Sequence, residues 1–260
     1  MDINKAMQLS STGSEEELKT LVYHPSSEVI LKLLQNKNLT EELTLIIAGR
    51  KNIDRRILES IYKDIRWMES YPIMLTLCKN HKTPQKISLS LLKSLRILDL
   101  ADITRNKQIP INIRMKAEAN ICEKILTLPL GIKLTLAKKA SSNVLARLIE
   151  DGIKEVVAIC LESSQVTEGV LSKIISRKKI SSNVLRQIAS HPKWSCRYYV
   201  QWALILNENT PLACIVNFLK NIKTIDLKEL YNTPELPSST RPFIYRELLE
   251  RNEILPNFTH

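Results

Sequence analysis

The chain has 260 residues, 44% of them hydrophobic, with 38 Lys and Arg against 27 Asp and Glu, a formal charge of +11 and a pI near 9.4. The apolar share is enough for a continuous core, yet no apolar run approaches the roughly 18 residues that a bilayer-spanning helix needs, so no membrane span is expected. The start, Met1-Asp2-Ile3-Asn4-Lys5, lacks the basic-then-apolar layout of a signal peptide, and a cytoplasmic location is expected.

Only five glycines occur, and apolar residues recur at intervals of three and four. Both features favour helices with short connections, so the fold is expected to be all-α. Cys78, Cys122, Cys160, Cys196 and Cys214 form no CxxC pair and have no histidine at ligand spacing, which predicts reduced, mostly buried thiols and neither metal nor cofactor.

In chain order, residues 1–13 read as a loose lead-in. Ser14 and Glu17 form a capping box for a helix that stops near Tyr23, before His24-Pro25. Ser26 starts the next helix, and Thr40 caps another that closes at Gly49. Three-helix units then follow, with helices near 54–63, 67–79 and 84–97; 99–106, 112–126 and 130–138; 142–149, 153–162 and 168–177; and 182–190, 194–207 and 211–220. The tail holds a short helix at 226–231, a link with Pro234 and Pro237, and a last helix over 242–251.

The segment Lys138-Lys139-Ala140-Ser141-Ser142-Asn143-Val144-Leu145 returns 40 residues later as Lys178-Lys179-Ile180-Ser181-Ser182-Asn183-Val184-Leu185. A period near 40 with helical apolar spacing predicts an α-solenoid of about five to six repeats, in which each unit buries its apolar face on its neighbours. The expected organisation is one domain, 1–260, with caps at 1–53 and 223–260 around repeats at 54–222.

Two units share a helix, Asn, Thr-Pro, helix layout: Leu77-Cys78-Lys79-Asn80 with Thr83-Pro84, and Tyr199-Val200-Gln201-Trp202 with Asn209-Thr210-Pro211. Over about 24–222 the chain resembles leucine-rich-repeat-variant proteins and, more broadly, HEAT and armadillo solenoids. That resemblance implies a binding scaffold and names no activity. Some repeat-variant proteins hold an iron-sulfur centre on an N-terminal cysteine cluster; no cysteine precedes Cys78, so that cofactor is not expected here.

Aligning Thr40, Thr83, Leu128, Thr167 and Thr210 puts a basic residue ten positions later in every unit: Arg50, Lys93, Lys138, Arg177 and Lys220. Each is expected in the last turn of a helix, where a cation complements the carbonyl end; the same column would also suit a phosphate backbone or an acidic peptide. Trp67 and Tyr71 recur as Trp194 and Tyr198, 127 residues on, with Arg66 and Arg197 nearby. They fit packing at a seam between repeats or stacking of unpaired bases.

No glycine-rich phosphate loop, HExxH or GxSxG occurs, so no catalytic residue is assigned. The leading expectation is a non-enzymatic scaffold for a protein or peptide, an acidic one given the charge. The alternative is a nucleic-acid-binding solenoid, extending to a base-excision enzyme that resembles a group of alkylpurine DNA glycosylases with a HEAT-like fold; that activity would require a carboxylate near Trp67 or Trp194, with Asp64 or Glu69 the first to test.

Overall fold

The structure, a computed structural model, describes residues 2–253, and among these it contains nineteen α-helices and no strand. The fold is therefore all-α. Residues 254–260, the end of the expected C-terminal cap, lie outside the described residues.

The chain divides into two compact units, 1–124 and 125–260, a boundary that falls inside the stretch read above as one three-helix repeat. The first holds α1 (Ile3–Thr12), α2 (Glu15–Leu21), α3 (Ser27–Leu33), α4 (Glu41–Gly49), α5 (Arg55–Lys63), α6 (Ile65–Met68), α7 (Tyr71–Lys79), α8 (Gln85–Leu91), α9 (Ile97–Arg105) and α10 (Ile111–Lys124). The second opens with a 3-10 turn, Ile125–Thr127. It continues with α11 (Leu130–Lys139), α12 (Ser142–Asp151), α13 (Lys154–Glu162), α14 (Glu168–Ile175), α15 (Ser182–Ser190), α16 (Tyr198–Leu206), α17 (Leu212–Leu219), α18 (Thr224–Asn232) and α19 (Arg241–Glu250).

Local chemistry sets these boundaries. Glu17 accepts from the Ser14 backbone N–H at 2.8 Å, closing the start of α2. Thr40 and Thr167 cap α4 and α14 by accepting from Leu43 N at 3.5 Å and Val170 N at 3.3 Å. Thr83 does otherwise: it is buried and donates back to Leu77 O at 2.6 Å, leaving Pro84 to begin α8. The single helix expected at 67–79 is broken, because Asp64 caps α6 and Ser70 caps α7. The lead-in is helical as α1, with Ala6 and Ser10 buried. Gly49 does not end its helix in a left-handed conformation; Gly152 does, at φ 80°, and Asn252 after α19 has φ 59°.

Within each unit a helix packs on the element two places along: α3 on α5 and α5 on α7 in the first, and α11 on α13, α13 on α15, α12 on α14 and α14 on α16 in the second. The buried stripes are at helical spacing. In α5 Ile57, Leu58 and Ile61 are buried while Arg55 and Arg56 face solvent.

The two units are in-register copies. Helices α1, α5, α7 and α9 recur as α11, α15, α16 and α18 with both ends displaced by 127 residues, so no insertion separates the copies. The buried triplet Ile57, Leu58, Ile61 returns as Val184, Leu185, Ile188. Trp67, Tyr71, Asn80, Thr83-Pro84, Lys93 and Asp99 return identically as Trp194, Tyr198, Asn207, Thr210-Pro211, Lys220 and Asp226. The displacement of 127 residues is about three times the 40-residue spacing of the Ser-Ser-Asn-Val-Leu segment.

Candidate functional site: an aromatic groove on α16

The predicted cations fall into two groups. Arg50 is engaged inside the first unit, donating to Val22 O at 2.9 Å and His24 O at 3.1 Å. Arg177, its counterpart, pairs with the carboxylate of Glu150, which also meets Arg147 at 3.1 Å. Lys93, Lys138 and Lys220 are exposed and form no ion pair among the described residues. Arg197 is the exposed residue at the start of α16.

Donors to helix-end carbonyls are a recurring device that residue types alone did not announce. The last carbonyls of a helix have no partner within it, and a side chain arriving from the next block supplies one. Asn80 donates to Ala48 O at 2.7 Å and Arg50 O at 3.0 Å, while its own oxygen accepts from Lys82 N at 3.0 Å. Asn207 repeats this on Ile175 O and Arg177 O. Arg251 caps Leu219 O, Lys220 O and Ile222 O at 2.9, 3.2 and 2.7 Å. His24 and His191 serve as turn acceptors, taking Ser26 N at 3.1 Å and Lys193 N at 3.2 Å on Nδ1.

The predicted aromatics separate likewise. Trp67 and Trp194 are only 7% and 3% exposed, so they are packing residues whose faces are not offered to solvent. Arg66 stacks on Trp67 at 4.9 Å and Lys193 on Trp194 at 4.2 Å. Asp64 is held by Arg66 at 2.7 Å, and this guanidinium keeps its carboxyl below the usual carboxylate range. Tyr71 donates to Asp99 and lies under Arg96 at 4.5 Å. Tyr198 has the corresponding carboxylate, Asp226, as its partner; desolvation, then that carboxylate, pushes its phenol up to about 12.

None of this set lines the concavity found in the second unit, but Tyr198 touches two rings that do. On α16 its ring meets Tyr199 edge-on at 5.6 Å and Trp202 at 5.9 Å, giving a three-ring cluster. Tyr199 is 67% exposed, and the start of α16 is fixed by Glu168 accepting from Tyr199 N at 3.2 Å. Tyr199 and Trp202, three apart on the helix, form one wall of a groove of about 710 Å³. Leu206 extends the apolar wall, Lys178 stands at the end of α14, and Glu208 and Glu235 contribute carboxylates.

Tyr199, Trp202, Glu208 and Glu235 were not expected as site residues. The signal was available in the 127-residue register: Tyr199 and Trp202 stand where the first unit has Pro72 and Leu75. The two groove serines donate to helix carbonyls, Ser172 to Glu168 O at 3.0 Å and Ser176 to Ser172 O at 2.8 Å, and no group of three metal-ligating side chains occurs among the described residues. The arrangement can hold a ligand by stacking, apolar contact and charge.

Comparison of the chain with protein-family models, with curated proteins and with solved structures returns no match.

Proposed function

We propose that the protein is a non-enzymatic interaction scaffold that binds a protein or peptide partner, and that its helices stack in the manner of HEAT and armadillo α-solenoids. The groove on α16 carries this reading. A concavity of about 710 Å³ with an exposed tyrosine and a half-buried tryptophan on one wall is sized for peptide side chains. Aromatic residues in a partly desolvated pocket are what anchor protein partners. The exposed lysines Lys93, Lys138 and Lys220 supply the basic surface that steers an acidic partner toward the scaffold.

The nucleic-acid reading rests on those same lysines, while Trp67 and Trp194, the aromatics it would use for stacking, are buried. A salt-titrated binding measurement on the full chain separates the two. Peptide binding that survives at about 150 mM salt and is lost in Trp202→Leu supports the scaffold. Binding of single- or double-stranded DNA or RNA that falls steeply with salt, collapses when Lys93, Lys138 and Lys220 become Glu, and ignores Trp202→Leu overturns it.

A further inference from the structure

We infer that the groove on α16 receives an arginine side chain from an extended peptide segment of the partner, an inference that rests on the scaffold reading. The two copies of one fold carry the argument, because they separate residues the frame needs from residues it does not. Around the groove, Lys51, Asn80 and Pro110 of the first unit recur as Lys178, Asn207 and Pro237. The asparagines have the same framing role in both, each donating to helix-end carbonyls.

The other eight wall positions change. Leu45, Gly49 and Thr76 become the small residues Ser172, Ser176 and Ala203, and five changes alter charge or stacking: Pro72 becomes Tyr199, Leu75 becomes Trp202, Lys79 becomes Leu206, His81 becomes Glu208 and Gln108 becomes Glu235. Helix formation does not demand these changes, since α7 spans the equivalent residues with Pro72 and Leu75. Their chemistry runs one way: two aromatic rings gained, one lysine lost and two carboxylates gained, in a chain whose formal charge is +11. Aromatic faces beside carboxylates recognise cations. A guanidinium suits this pairing better than an ammonium, because its plane stacks on a ring while its N–H edges meet carboxylates.

Glu208 and Glu235 are exposed and make no ion pair among the described residues, so neither carboxylate is already neutralised by a cation of this chain. The groove volume exceeds one side chain, so residues flanking the arginine lie along Leu206 and Pro237. Lys178 at the α14 edge disfavours a run of cations, which points to a single arginine between apolar neighbours.

The test follows the fluorescence of Trp202, the least buried of the three tryptophans, in the full chain. The probes are blocked pentapeptides with a central arginine between leucines, the same peptide with citrulline, which keeps the shape without the charge, and one with glutamate. Saturable binding of the arginine peptide, about tenfold tighter than the citrulline one, supports the inference. Glu208→His with Glu235→Gln, which restores the residues of the first unit on an exposed surface, then lowers the arginine peptide to the citrulline level with an unchanged circular dichroism spectrum. Equal affinity for arginine and citrulline, or tighter binding of the glutamate peptide, overturns the inference and leaves the scaffold reading standing. No response of Trp202 to any of the three overturns both.

Discussion

Trp194 donates its indole N–H to the backbone carbonyl of Leu161 at 2.8 Å, and the first unit meets the same need with a different residue. There the equivalent carbonyl, Leu34 O, accepts from Arg66 at 2.6 Å, joined by Asn36 O at 3.1 Å. Trp67, the counterpart of Trp194, is consequently buried with its indole N–H unpaired among the described residues. Identical tryptophans in identical registers thus sit in different hydrogen-bonding states, because the acceptor has been taken by the preceding residue.

The two tryptophans should therefore respond differently to loss of the indole N–H. Trp194→Phe leaves a buried carbonyl unpaired and is expected to lower stability by about 1–3 kcal/mol beyond the change in ring size. Trp67→Phe removes an unpaired donor and is expected to lower it by less. Urea unfolding of both variants checks this, and equal losses would contradict the assignment.

The thiols should divide by burial. Burial pushes Cys78 and Cys160 each up to about 12, so at pH 8 their thiolate fraction is on the order of 10⁻⁴. Cys196 is exposed. A thiol reagent followed by peptide mass mapping is expected to label Cys196 in the folded protein, and to label Cys78 and Cys160 only once denaturant is added.

Alkaline pH should expose the Tyr198 to Asp226 contact. Desolvation and the carboxylate raise the phenol from 10.0 to about 12 in the folded chain. An acid raised in this way favours folding fully below pH 10, and the contribution is lost as pH climbs from 10 to 12. Difference absorbance of tyrosinate is expected to show a late-titrating component that loses one phenol in Tyr198→Phe and moves that phenol earlier in Asp226→Asn, while Tyr71, raised likewise by burial and Asp99, still titrates late.

Gly152 ends α12 at φ 80°, a conformation that an L side chain adopts under strain. A Cβ there meets nothing closer than 3.6 Å, so Gly152→Ala should cost about 1 kcal/mol from backbone strain alone, read as a shift in the denaturation midpoint.

Much of the helical pattern was legible in the residues. The 182–190 helix matches α15 at both ends, since Ser181 caps it and its apolar stripe is regular. Prolines and the Ser14 capping box placed other ends well. What was not legible has a common cause: side chains acting between elements. Asp64 and Ser70 break the expected 67–79 helix by capping, and Arg50 looked like a surface cation yet reaches carbonyls 26 and 28 residues back. The groove was hidden because Tyr199 and Trp202 entered only as part of the segment shared between repeats, until the 127-residue register set them against Pro72 and Leu75.

A ligand held in the α16 groove perturbs the residues that line it. The most direct measurement is an NMR titration of the full chain with the arginine pentapeptide, following the three tryptophan indole N–H resonances and the backbone amides. Binding at the groove moves the Trp202 indole together with the amides of Tyr199, Glu208 and Glu235, and leaves the buried Trp67 and Trp194 indoles in place. Shifts centred on Lys93, Lys138 or Lys220 with a stationary Trp202 would contradict binding at the groove.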